Sequence, residues 1–116
     1  MVKIKRAYDL PAIGDGYRIL VDRLWPRGIS KAKADIKLWF KEIAPTVPLR
    51  KWFGHDPKKW ADFKKRYARE LGTQNGQKAV KELRKIVRRE KTVTLVYAAK
   101  DPEHNHALAL KGLLKV

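Results

Sequence analysis

The chain contains no cysteine, and that absence removes a disulfide framework, a thiolate zinc site, an iron–sulfur cluster and any cysteine nucleophile. It fits a reducing compartment. Acidic residues are scarce as well: 12 Asp+Glu stand against 28 Lys+Arg, a formal net charge of +16. No segment approaches the ~20 consecutive apolar residues of a membrane span. Met1–Arg6 is not followed by the apolar stretch of a signal peptide. The expectation is a cytoplasmic protein without a membrane partner. Neither a P-loop nor a glycine-rich strand-to-helix turn is present. Gly14-Asp15-Gly16 precedes a strand pattern instead of joining strand to helix, so no cofactor is called for.

What is there suffices for a folded core. The 116 residues are 44% hydrophobic and include four Trp, so residues 1–116 are expected to form one small domain rather than a disordered chain. Val2–Tyr8 alternates apolar and basic residues at its start, the period-2 pattern of an edge strand with one wet face. Tyr17–Leu24 has an unbroken apolar centre that suits a strand covered on both faces. It stops at Trp25-Pro26-Arg27-Gly28. Ser30 suits the cap of a short turn, and Ala34, Leu38 and Ile43, with Trp39 and Phe40, point to a small helix before Pro45 and Pro48 interrupt it.

From Asp56 onward the signals sharpen. Asp56 as N-cap, Pro57 as first helical residue, and Trp60, Phe63, Tyr67 and Leu71 at helical spacing predict a helix ending at Gly72. A second helix is expected after Gly76, with Ala79, Val80, Leu83, Ile86 and Val87 as its apolar stripe. Thr92–Ala99 reads as a β-branched strand. Asp101-Pro102 repeats the N-cap pattern for a last helix through Ala107, Leu110 and Leu114. A long helical crossover between the two apolar strands makes them parallel. The expected architecture is α/β: a mostly parallel sheet of three or four strands covered by helices.

In open parallel sheets, ligands bind beyond the carboxyl ends of the strands. Beyond the first apolar strand lie Asp22, Arg23, Trp25 and Arg27; beyond the last lie Lys100, Asp101, His104, Asn105 and His106. Arg23, Arg27 and Lys100 are the candidate anion-binding residues, because a guanidinium in a rigid loop grips phosphate or carboxylate through two parallel hydrogen bonds. The blander reading pairs the arginines with Asp22 or Asp101. Trp25 and Tyr97 are candidate cleft walls, with a core role as the alternative for Trp25. His55 and His106 are candidate acid–base groups, since imidazole exchanges protons near neutral pH and Asp56 or Asp101 is available to orient it. Against that, both carboxylates are already accounted for as helix caps. His104 and His106 stand two apart, a spacing that points helical side chains to different faces, so no metal site is expected.

Three stretches carry a resemblance. Val21-Asp22-Arg23-Leu24-Trp25-Pro26-Arg27-Gly28, Leu49–Pro57 and Thr94–Asp101 with His104-Asn105-His106 resemble the YeaO-like branch of domain-of-unknown-function family 488, in the same order and over nearly the whole chain. The resemblance implies a small bacterial or archaeal α/β domain and supplies no biochemical role. It also implies that the cysteines of more distant members align at Tyr97 and Asn105, their histidine at His106 and their arginine at Ala107; this chain has neither thiol nor that arginine.

The basic helices support a second function. Lys58, Lys59, Lys64, Lys65, Arg66 and Arg69 on one, and the cations from Lys78 to Arg89 on the next, leave positive surface for which phosphate backbones are the natural counterpart. Charge runs also serve solubility alone. Two functions therefore stand at this stage: a domain with an anion cleft that takes a phosphate-bearing or carboxylate small molecule, and a non-catalytic, sequence-nonspecific nucleic-acid binder.

Overall fold

The computed structural model describes residues 1–114. Four strands, β1 (Val2–Arg6), β2 (Tyr17–Leu20), β3 (Leu38–Trp39) and β4 (Val93–Tyr97), form one sheet in the order β1-β4-β2-β3. Every neighbouring pair is parallel, with Val2 opposite Val93 on one side of β4 and Tyr17 opposite Val93 on the other. The α/β expectation holds, and β1 lies at an edge as its alternating pattern requires.

The helices are α1 (Lys31–Ala34), α2 (Val47–Phe53), α3 (Trp60–Leu71), α4 (Gln74–Arg89) and α5 (His106–Leu114). Connections β1→β2→β3 run one way across the sheet and β3→β4 runs back, so the right-handed crossover rule sends them to opposite faces. The core divides accordingly. On the first face Ile19, Val21, Leu95 and Tyr97 pack with Phe63, Tyr67, Leu83 and Leu110 of the long helices; on the second, Leu20 and Val96 meet Ala7, Trp25, Ile29, Ile36 and Trp39.

Three expectations need correction. The small helix across Leu38, Trp39 and Phe40 does not form: Lys37 N–H donates to Arg18 O (2.9 Å) and Phe40 N–H to Leu20 O (2.8 Å), making β3. The open edge of β2 offers these residues ladder bonds, which outweigh a local spacing that also suits a helix. Pro48 does not interrupt a helix but sits in the first turn of α2, where a missing N–H costs nothing, behind the Thr46 cap.

The third correction concerns the last helix. α5 begins at His106, and its cap is Asn105, whose Oδ1 accepts the Leu108 N–H at 2.8 Å and whose Nδ2 donates to Asp101 O at 3.0 Å. Asp101 instead closes a turn upstream, its Oδ1 accepting from Glu103 N (2.8 Å) and His104 N (3.2 Å). Two residues suited to capping stand four apart, and the buried Asn105 takes the helix. Asn105→Ala is therefore expected to cost ~0.5–2 kcal/mol and to lower the melting temperature more than Asp101→Ala; the reverse order in thermal melts would reinstate Asp101 as the cap.

The α3–α4 corner is also tighter than expected. α4 starts at Gln74, ahead of Gly76, with Thr73 as its cap. A Cβ on Gly76 would lie 2.3 Å from Glu70 O and 2.6 Å from Leu71 Cα, which is why glycine stands in that first turn.

A buried ion pair underlies the second face. Arg18, 1% exposed, donates through Nε and Nη2 to Ala34 O (3.1 and 2.9 Å) and through Nη1 to Asp15 Oδ2 (2.7 Å). Asp15 also accepts from Ala12 N (3.0 Å) and Lys5 Nζ (3.2 Å), and its carbonyl takes the Thr94 hydroxyl (2.6 Å). Burial pushes the Asp15 carboxyl up, but the Ala12 N–H, Lys5 and Arg18 outweigh it and hold it below its ordinary value.

Candidate functional site

The crossover directions diverge between β2 and β4. The chain leaving β2 turns to the second face and that leaving β4 turns to α5 on the first, so the carboxyl ends of these two strands are the switch point at which parallel sheets place their ligands. Asp22 stands at the β2 side of it. Its Oδ2 accepts the Ala98 N–H at 2.9 Å, and its Oδ1 lies 2.8 Å from His106 Nε2 in the first turn of α5. The backbone of Asp22 is held too, since its carbonyl accepts the Trp39 indole N–H at 2.7 Å.

The imidazole has a defined orientation. His106 Nε2 lies 2.9 Å from Val21 O as well as 2.8 Å from the Asp22 carboxylate, and both are acceptors, so Nε2 carries the proton. Nδ1 is then the nitrogen at which the ring gains or loses its exchangeable proton. No buried side-chain nitrogen or oxygen among the described residues lacks a partner, and Nδ1 has no bond to any described residue, so it is not buried. A carboxylate-oriented imidazole with its other nitrogen open is the arrangement that general-base chemistry requires.

Arg23, the next residue after Asp22, stands on a built support. Its Nε donates to Pro45 O (2.8 Å) and its Nη2 to Ala44 O (3.1 Å), leaving Nη1 free of protein partners. α3 holds that loop from below: the Tyr67 hydroxyl donates to Ile43 O (2.5 Å), and the Glu70 carboxylate accepts both the N–H (3.0 Å) and the hydroxyl of Thr46. Burial pushes the Tyr67 phenol far up, the Glu70 and Asp22 carboxylates add to this, and Arg23 opposes it. Asp22 and Arg23 thus both act on one buried ring. The ion pair of an arginine with Asp22 or Asp101 does not form, because Asp22 pairs with His106 and Asp101 with His104.

That second histidine pair lies on the same loop. Asp101 Oδ2 is 2.8 Å from His104 Nδ1, and the His104 ring meets Trp60 edge-on at 5.6 Å. The Glu103 N–H and then His104 hold the Asp101 carboxyl below its ordinary value. Asp101 therefore orients His104, whereas Asp22 orients His106, a pairing the sequence order does not reveal. The other expected residues are placed differently. His55 is exposed in a left-handed turn (φ 58°), and Arg27 and Lys100 are exposed with no side-chain hydrogen bond. Tyr97 is buried in the first-face core. Trp25 packs edge-on against Trp39 in the second, its indole N–H bonded to Ile29 O (2.6 Å).

Residues 3–114 match the family model described as "Domain of unknown function DUF488". The chain belongs to the DUF488 family. It is 44% identical to the uncharacterized protein YeaO of Escherichia coli K12, over 98% of this chain and 96% of that protein. It is 39% identical to the uncharacterized protein Rv3073c of Mycobacterium tuberculosis H37Rv, over 97% of this chain and 92% of that one. No solved structure matches the chain. In this DUF488 domain the two positions where the resemblance implied cysteines serve packing and capping: Tyr97 is core and Asn105 caps α5. Among the described residues no helix is long and apolar enough to cross a membrane.

Proposed function

We propose that this DUF488 domain binds a phosphate-bearing or carboxylate small molecule at the β2–β4 switch point and exchanges a proton with it. Arg23 holds the anion and His106 is the proton-transfer group. The observation that carries this reading is the 2.8 Å Asp22–His106 pair at the divergence of the crossovers, next in sequence to an arginine that no carboxylate among the described residues neutralises. Two of Arg23's donors are spent on carbonyls that fix its plane, so the remaining Nη1 edge meets a ligand without first losing conformational freedom. Lys100 and Arg27, exposed on the flanking loops, supply outer cations that attract the anion.

The test is a titration with inorganic phosphate, following the Ala98 amide, the Arg23 Nε–H and the His106 ring by NMR. Saturable shifts at all three are expected, and Arg23→Lys is expected to weaken binding about tenfold, or ~1.4 kcal/mol, by losing the fork geometry. Shifts that never saturate, or a Kd that Arg23→Lys leaves unchanged in a protein of unaltered melting temperature, would remove the site.

A further inference from the structure

A groove of ≈ 610 Å³ lies between the end of α3, α4 and the last turn of α5. Its apolar lining is Leu71, Val80 and Leu113, and its cationic lining is Lys81, Arg84 and Arg88. The three cations recur at helical spacing and so form one stripe along α4. Among the described residues none pairs with a carboxylate, and Arg84 donates to the Leu113 carbonyl at 3.4 Å. No acidic side chain lines the groove. Leu71 is buried, but Val80 is half-buried and Leu113 is 37% exposed, so these two apolar residues meet water.

These two features together select the occupant. A stripe of solvated charge explains the cations but not the open leucine and valine beside them. A nucleic-acid backbone satisfies the cations while setting phosphates against Val80 and Leu113. A second copy of this chain brings another +16 and is repelled. An acidic amphipathic helix answers both, with apolar residues at i, i+3, i+4 and i+7 on the groove and carboxylates against the α4 stripe. Lys81 to Arg88 is seven steps along α4, about 10 Å at the helical rise, so about two turns of partner helix cover it. We infer that this groove docks an acidic amphipathic helix of a partner protein.

Fluorescence anisotropy at low salt tests this with three labelled synthetic peptides of equal charge on the full chain. One is a Leu/Glu amphipathic helix with the spacing above, one a scramble of the same composition, and one polyglutamate. The amphipathic peptide is expected to bind about tenfold more tightly than either control, and Val80→Gln and Arg84→Glu each to weaken it about tenfold. A peptide carrying Lys in place of the facing Glu is expected to recover binding to Arg84→Glu. Thermal melts establish that both surface variants remain folded. Absence of binding, equal binding of the scramble or polyglutamate, or indifference to Val80→Gln overturns the proposal. So does a labelled single-stranded oligonucleotide that binds and is weakened by Arg84→Glu while the amphipathic peptide does not bind.

Discussion

Asp15→Ala is expected to destabilise the protein by about 3–5 kcal/mol, the cost of leaving a buried cation without its partner. Arg18 is 2% exposed along its side chain and Asp15 8%, so water does not replace the lost carboxylate. Lys5 and the Ala12 N–H lose the same acceptor. In a thermal melt this amounts to a drop on the order of 10–20 °C. The pH dependence follows from the direction of the shift. Asp15 is held below its ordinary value, so its stabilisation is whole above about pH 4 and is lost as pH falls through the lower folded value. The gap between the native chain and Asp15→Ala should therefore be widest near neutrality and close in acid. A gap that stays constant down to pH 2 would show that the carboxylate's charge is not what matters. Pairing Asp15→Leu with Arg18→Met is expected to recover part of the loss, because the double change removes the orphaned charge; Ala34 O still loses both its donors.

Gly16→Ala is the other large effect expected, and it arises from backbone rather than charge. Gly16 has φ 65° and ψ −131°, a region essentially confined to glycine, and a Cβ there would stand 2.3 Å from Thr92 O. That carbonyl accepts the Tyr17 N–H at 2.9 Å, the first rung between β2 and β4. Neither atom has room to move without opening the rung. Strain of ~1–3 kcal/mol adds to the displacement of the ladder, for a total on the order of 3 kcal/mol or more. Hydrogen exchange at Tyr17 should accelerate together with the fall in melting temperature. Because the β2–β4 register also brings Asp22 to Ala98, the Ala98 amide resonance should shift as well. A melt within ~0.5 kcal/mol of the parent, as for an ordinary surface substitution, would contradict the close approach.

The two strongest helices were legible because their apolar residues recur at the helical period, whereas their starts were not: Asp56 caps a 3-10 turn ahead of α3, and Thr73 rather than Gly76 sets the start of α4. Phe63, Tyr67 and Leu71, and Ala79, Leu83, Ile86 and Val87, are the buried faces the spacing predicts. β3 was not legible, since two residues on a sheet edge have no period of their own and owe their conformation to β2. Arg18 escaped for a related reason. A basic residue inside an apolar run signals nothing until the fold brings Asp15 and the Ala34 carbonyl around it.

The candidate site divides in the same way. Residue types and order determined that arginine, histidine and aspartate stand beyond the carboxyl ends of parallel strands, because strand direction and crossover length follow from local pattern. Which aspartate meets which histidine was decided only by tertiary structure. Asp22 and His106 are 84 positions apart in sequence, and they meet because β2 and β4 are neighbours whose connections leave in opposite directions. Asp101 is held by the turn it closes, five residues before His106, and that turn directs it to His104. Arg23 was marked by its loop position alone, but the carbonyls that fix it come from residues 44 and 45, steadied by Tyr67 and Glu70 of α3. Contacts of that range are set by which elements share a face. Local propensity and periodicity carry no information about them until the sheet order is known.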